Sequence, residues 1–307
     1  MQKAMPGKLA VIGAGNMGNA IASLFFTYGW QVVLIDPSDT AHRKSREWLL
    51  ATHASDDDTA ARLGWSRDLH AAADATLVIE AAPEDLALKQ DIFQKLEACC
   101  APTVPLATNT SGISINRLAE KLSHPERFIG THFFTPADVI PLVEVIASDR
   151  TSPAIAEHIL ALLRHVGKLP ILVRKDIPGF IANRLQHALA REAMSLLEKG
   201  VASAQDIDTV AKWSLGIRLA LTGPLEQRDL NGLDIHHAIA GYLYPDLENR
   251  QTPPDILGAK VEQGQLGVKS GEGFYVWDTP AGRQALAGKD AALRKLAAYL
   301  KENTPLT

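Results

Sequence analysis

Cysteine is nearly missing from this chain: Cys99 and Cys100 are the only two among 307 residues, and they are adjacent. Such a pair builds no disulfide framework and no Cys-x-x-Cys metal site. They read as small helix-end residues in a reducing cytoplasm. None of the ten histidines stands in His-x-x-x-His spacing, so no metal is expected. An excess of one charge is lacking too. The net charge is −4 with acids and bases intermixed, which leaves no basic stripe for nucleic acid. The run Asp56-Asp57-Asp58 reads as a solvated loop. No apolar stretch approaches the ~18 residues that a membrane-spanning helix needs. Met1 to Lys8 lacks the apolar centre of a signal peptide. No internal repeat is visible.

What is present is enough for a large core. A 46% hydrophobic chain of this length predicts two domains. Up to about residue 175, short apolar runs alternate with helical patterns, the signature of βαβ units and a mostly parallel sheet. Strands are expected at 9–12, 32–35, 77–80, 106–108, 128–131, 143–146 and 169–173. Helices are expected at 16–28, 39–52, 84–99, 114–122 and 153–166, the last opened by Ser152-Pro153. Beyond Pro178-Gly179 the pattern is helical only. One long helix over 181–199 stops at Gly200, a second starts at Ser203 with Asp206 in capping-box spacing, and others fit 224–243 and 254–263. An extended segment at 271–277 follows, then a tail with Leu286, Ala292, Leu296 and Leu300 as one helical stripe. The expected architecture is a Rossmann-type, doubly wound α/β domain over 1–176 and an all-helical domain over 177–307.

The strand at 9–12 runs into Gly13-Ala14-Gly15-Asn16-Met17-Gly18 and then a helix. In such a Gly-x-Gly-x-x-Gly turn the first glycine allows the tight bend. The second admits a pyrophosphate close to the backbone, and the third lets helix and strand pack. The helix N-terminus supplies free N–H groups and positive dipole to the phosphates. A second strand ends in Asp36, 18 residues past Gly18, where an acid accepts the adenine ribose hydroxyls. No arginine follows Asp36 directly to meet a 2′-phosphate, so NAD is the expected cofactor. Gly13, Gly15, Asn16, Met17, Gly18 and Asp36 are the candidate contacts.

A nucleotide fold does not name a reaction. For that, the informative stretch is Gly130-Thr131-His132-Phe133-Phe134-Thr135-Pro136, with Glu144 twelve residues after His132 on the next strand. A histidine oriented by a carboxylate suits removal of an alcohol proton, because the carboxylate selects the tautomer and stabilises the imidazolium.

Here the chain resembles the L-3-hydroxyacyl-CoA dehydrogenase family over nearly its whole length. The blocks that carry the resemblance are the glycine turn, Val78 to Asp85 leading to Lys89, Asn109-Thr110-Ser111, the His-Phe-Phe stretch, Asp176 to Arg184, and Lys269 to Tyr275. The resemblance implies His132 as general base with Glu144 as its partner. It implies that Ser111 and Asn183 hold the reacting oxygen. Glu84, Lys89, Ser111, Thr135 and Lys269 would serve the cofactor, and the helical domain would form a homodimer. Glu84 and Lys89 can also be read as the start of a solvated helix, and Ser111 as a turn hydroxyl.

Three departures from the family bear on the substrate. Thr135 replaces the usual Asn after His-Phe-Phe. The segment between Asp36 and the strand at 77 is short, so the basic helical hairpin of the acyl-CoA enzymes looks absent. Arg228 occupies a usually apolar position, either ion-paired to Glu226 or Asp229 or anchoring a substrate carboxylate. The tail resembles that of a relative that oxidises a pyridine carboxylate in vitamin B6 breakdown. The expected activity is therefore reversible hydride transfer between NAD and an alcohol β to an acyl or carboxyl group. The substrate is either a short 3-hydroxyacyl-CoA or a small free acid or pyridine-type alcohol or aldehyde. A non-catalytic NAD-binding protein is the alternative of another class.

Overall fold

The computed structural model describes residues 7–53 and 60–303. The acidic triplet of the sequence reading lies outside them. The chain divides into two units, Met1–Arg184 and Leu185–Thr307.

In the first unit, helices α1 (Asn16–Thr27), α2 (Asp39–His53), α3 (Leu86–Cys99), α4 (Ile115–Ala119) and α5 (Pro153–His165) accompany an eight-stranded sheet. Its strands are β1 (Lys8–Ile12), β2 (Gln31–Ile35), β3 (Leu63–Ser66), β4 (Leu77–Glu80), β5 (Leu106–Thr108), β6 (Phe128–Phe133), β7 (Leu142–Ala147) and β8 (Leu169–Val173), ordered β3-β2-β1-β4-β5-β6-β7-β8. All pairings are parallel except β6 with β7. The order reverses between β1 and β4, which opens the ligand crevice at the strands' carboxyl ends.

Strands covered on both faces need apolar residues throughout, and alternate side chains feed opposite cores. Leu9 and Val11 join one cluster with Phe25, Leu34, Val143 and Ile159. Ala10 and Ile12 join the other with Phe93, Leu96, Phe128 and Ile146.

In the second unit, α6 (Ala182–Glu198), which begins at the edge of the first, is followed by α7 (Ala204–Val210), a π-helical turn over Ala211–Gly216, and α8 (Ile217–Leu219). Then come α9 (Glu226–Asn231), α10 (Leu233–Leu243), α11 (Asp255–Glu262) and α12 (Pro280–Asn303). The helix expected over 224–243 is two helices, because Gly232 adopts φ +95° and breaks the ladder. Ser203 caps α7 as expected, its Oγ accepting from Asp206 N at 3.2 Å. The segment at 271–277 carries only isolated bridges, pinned by the Tyr275 hydroxyl to Asp208 Oδ2 at 2.9 Å.

Candidate active site

The glycine turn has the geometry its residues require. Gly13 sits at φ +104°, and a Cβ there would stand 2.7 Å from Ala81 O. A Cβ on Gly18 would stand 1.9 Å from Gly13 O, whereas one on Gly15 would meet nothing within 4 Å. No side chain caps α1, and its first turn holds no acid, so its N–H groups remain open to an anion. Asp36 organises the turn: its Oδ2 accepts from Ala14 N at 2.9 Å and its Oδ1 from Ser38 N at 2.8 Å. Each carboxylate oxygen keeps a further lone pair for a ribose hydroxyl. Thr135, across from the turn, directs its hydroxyl to Met17 Sδ at 3.1 Å.

Next to this turn lies a polar group that the sequence reading passed over. Glu80 ends β4 fully buried and pairs in register with Ile12 of β1. It accepts from Ala82 N at 2.6 Å, Thr108 Oγ1 at 2.6 Å and Lys89 Nζ at 2.5 Å. Burial pushes its carboxyl above the ordinary glutamate range, against the pull of Lys89, Thr108 and Ala82 N–H. Lys89, read from sequence as a cofactor contact, is 1% exposed and also donates to Ala82 O at 3.1 Å. Its ammonium lies 3.5 Å from Glu84 Oε2.

Glu84 in turn holds the loop after β5. Its Oε1 accepts from Thr110 Oγ1 at 2.5 Å, Ser111 N at 3.0 Å and Gly112 N at 3.3 Å. Asn183 Nδ2 donates to Ser111 O at 2.7 Å, which brings Ser111 and Asn183 together. In the sequence Glu80 stands within the Val78 to Asp85 block as an acid closing an otherwise apolar strand, nine residues before Lys89, and no role was attached to it.

His132 and Glu144 are cross-strand register partners of β6 and β7. His132 Nδ1 stands 2.8 Å from Glu144 Oε2, with both groups buried. The carboxylate places the proton on Nδ1 and leaves Nε2 as the acceptor. The ring packs against Phe134 at 4.5 Å and Phe180 at 5.7 Å between centroids. Gly179 at φ +76° and Phe180 at φ +51° make a left-handed turn into α6. This turn points Ile181 N and Ala182 N at Glu144 Oε1, each at 2.9 Å. Glu144 thereby neutralises the positive start of α6 while it holds the histidine. Burial acts to raise its carboxyl, but the bonds from His132, Ala182 and Ile181 outweigh that and hold it below the usual range.

Arg228 and Lys269 belong to the second unit. Arg228, on α9, is exposed and makes no ion pair with Glu226 or Asp229 among the described residues. It lines a cleft of about 280 Å³ with His236, His237, Leu233 and Ile239. Lys269 is exposed in the single turn Val268–Ser270.

Residues 8–177 match the model of the 3-hydroxyacyl-CoA dehydrogenase NAD-binding domain, and 179–277 that of its C-terminal domain. The chain belongs to the 3-hydroxyacyl-CoA dehydrogenase family. It is similar to the 5-formyl-3-hydroxy-2-methylpyridine 4-carboxylate 5-dehydrogenase of Mesorhizobium japonicum, 36% identical over 94% of this chain and 96% of the relative. A solved 5-formyl-3-hydroxy-2-methylpyridine 4-carboxylic acid 5-dehydrogenase, an NAD+ dependent dismutase, covers 98% of this chain and 100% of its own at 35% identity, with a TM-score of 0.88. The (S)-3-hydroxybutyryl-CoA dehydrogenase of Ralstonia eutropha covers 89% of this chain and 99% of its own at 34% identity, with a TM-score of 0.72. As a member of this family the protein is an NAD-dependent dehydrogenase, and the uncapped helix, open Gly15 and Asp36 fit that cofactor.

Proposed function

We propose that the protein transfers hydride between NAD and a small alcohol or aldehyde that carries a free carboxylate, of the pyridine-carboxylate type. The observation that carries this reading is the connection from β2 to β3. Among its described residues it holds one helix, α2, and residues 54–62 are all that separate that helix from the start of β3 at Leu63. That length leaves no room for the basic hairpin that the acyl-CoA enzymes use. The end-to-end likeness to the pyridine-carboxylate dehydrogenase, with a TM-score of 0.88 against 0.72, supports the same choice. Arg228 is our candidate for the carboxylate's partner, since guanidinium binds carboxylates bidentately and Arg228 is exposed in its cleft with no ion pair to Glu226 or Asp229 among the described residues.

NAD held on the glycine turn supplies the hydride acceptor. His132 Nε2 takes the hydroxyl proton, and in the reverse direction returns it to the forming alkoxide. Glu144 stabilises the imidazolium that results and keeps the ring from turning. Ser111 and Asn183 orient the reacting oxygen in advance, with Asn183 itself fixed by Ser111 O. A hydrated aldehyde presents the same O–H and C–H pair to the same base.

A thioester substrate is the second reading, favoured by the 34% identity to the Ralstonia eutropha 3-hydroxybutyryl-CoA enzyme across 99% of its length. Initial rates of NADH oxidation with acetoacetyl-CoA, acetoacetate and 5-formyl-3-hydroxy-2-methylpyridine 4-carboxylate decide between them. Turnover of a free acid, with KM raised about tenfold or more by Arg228→Met, is the expected result. Turnover of the thioester alone overturns the proposal.

The assembly we propose is a homodimer in the cytoplasm. The apolar surface of the second unit and the two free cysteines support it.

A further inference from the structure

Glu80 lies where the two functional turns come nearest to sharing one anchor. Through Ala82 N it holds the backbone after β4, and Ala81 of that backbone is packed under Gly13. Ala81 N also donates to Ile12 O at 2.7 Å, and Asn109 N to Glu80 O at 2.7 Å, so strands β1, β4 and β5 end as one piece. Through Lys89 and Glu84 the same carboxylate reaches the Ser111 loop, and Ser111 O holds Asn183.

From this chain of contacts we infer that Glu80 is a positioning residue for the reaction, joining the cofactor turn to the turn that holds the reacting oxygen. It touches neither cofactor nor substrate. It acts by holding a buried ammonium whose partners among the described residues are the Glu80 and Glu84 carboxylates and the Ala82 carbonyl. Without the Glu80 charge, Lys89 turns to Glu84 as its remaining carboxylate. Glu84 then cannot keep its three bonds to Thr110, Ser111 and Gly112 in their present geometry. The expected loss appears in the chemical step, because Ser111 and Asn183 lose their alignment, and in NADH affinity, because Ala82 no longer braces the glycine turn.

This inference rests on the family's dehydrogenase activity and not on the free-acid reading. Its assays use whichever substrate the wild-type protein turns over. Glu80→Gln keeps size and hydrogen bonding while removing the charge. Its expected effects are a kcat about tenfold or more below wild type and weaker NADH binding by protein-fluorescence titration. Adding Ser111→Ala to it costs less than about twofold more than the worse single variant, since both act through one loop. A solely structural Glu80 lowers Tm but leaves kcat and NADH affinity of the folded enzyme within about twofold of wild type, and its losses multiply with those of Ser111→Ala. Either of those results overturns the inference. Should Glu80→Gln not fold, Thr108→Val removes one donor to the same carboxylate and leaves both charges. A lower kcat that does not multiply with Ser111→Ala is then expected, and an unchanged kcat overturns the inference.

Discussion

His132 is the base we propose, and its surroundings decide what a substitution costs. His132→Gln keeps a group of similar reach to Glu144 and removes the base, so turnover should fall by about 10²–10⁴ while NADH affinity stays the same. Unchanged turnover would remove His132 from the mechanism. Glu144 makes a second claim, about pH. Its folded carboxyl is held below the ordinary value, so its ionised bonds stabilise the fold above the unfolded pKa, about 4.3. That stability disappears as pH falls through the lower folded value. Thermal melts of wild type and Glu144→Gln should therefore differ most at neutral pH and converge in acid. Melts that stay equally separated down to the most acid sample would refute the assignment. The sequence offered this pair as a histidine at a strand end with a carboxylate twelve residues later on the next strand, and the antiparallel register of β6 and β7 that brings them together is seen only in the structure. Glu80 was not legible, because an acid at the end of an apolar strand reads as the place where the strand stops. Its meaning depends on Lys89 folding back from α3, which no local pattern shows.

Among the elements, the β1–α1 turn separates two glycines that look alike in sequence. Gly18→Ala drives a methyl into Gly13 O, a rigid backbone atom, and should destabilise by roughly 1–3 kcal/mol or abolish folding. Gly15→Ala meets open space, so its Tm should stay within about 2 °C of wild type while NADH binding weakens, because the methyl stands where the pyrophosphate approaches. Calorimetry and NADH titration read the two effects separately, and a Gly15→Ala protein that binds NADH normally would contradict this account of the turn. Much of the first unit was legible at this scale. Strands β4, β5 and β8 fall where the apolar runs put them, because a strand covered on both faces has little choice of residue. Strand β3 was missed, since Leu63-Gly64-Trp65-Ser66 is a four-residue edge strand with neither an apolar run nor a clean alternation. The split between α9 and α10 was missed as well: one glycine inside a helical pattern is tolerated or terminating according to its φ, and sequence does not report φ.

For the molecule as a whole, the two units differ in how much apolar surface they bury. The buried apolar core ends with Phe180, while beyond it Leu225 is 81%, Trp213 73% and Tyr242 71% exposed. Helices α7 to α12 contribute no buried side chain, and of the stripe expected on the tail Ala292 and Leu296 of α12 face water while Leu286 and Leu300 are half-buried. Apolar surface on this scale is a contact surface rather than a stable exterior. In the homodimer we propose, a second copy of the chain, related by a two-fold axis, covers each such face with itself. If so, unfolding is coupled to dissociation, and stability depends on protein concentration. Each tenfold increase should add about 1.4 kcal/mol per dimer, so Tm should climb steadily between about 1 and 100 µM. A monomer whose second unit is complete would give the same Tm at every concentration. That flat line would mean the exposed leucines and tryptophan await some other partner, and the dimer would have to be given up.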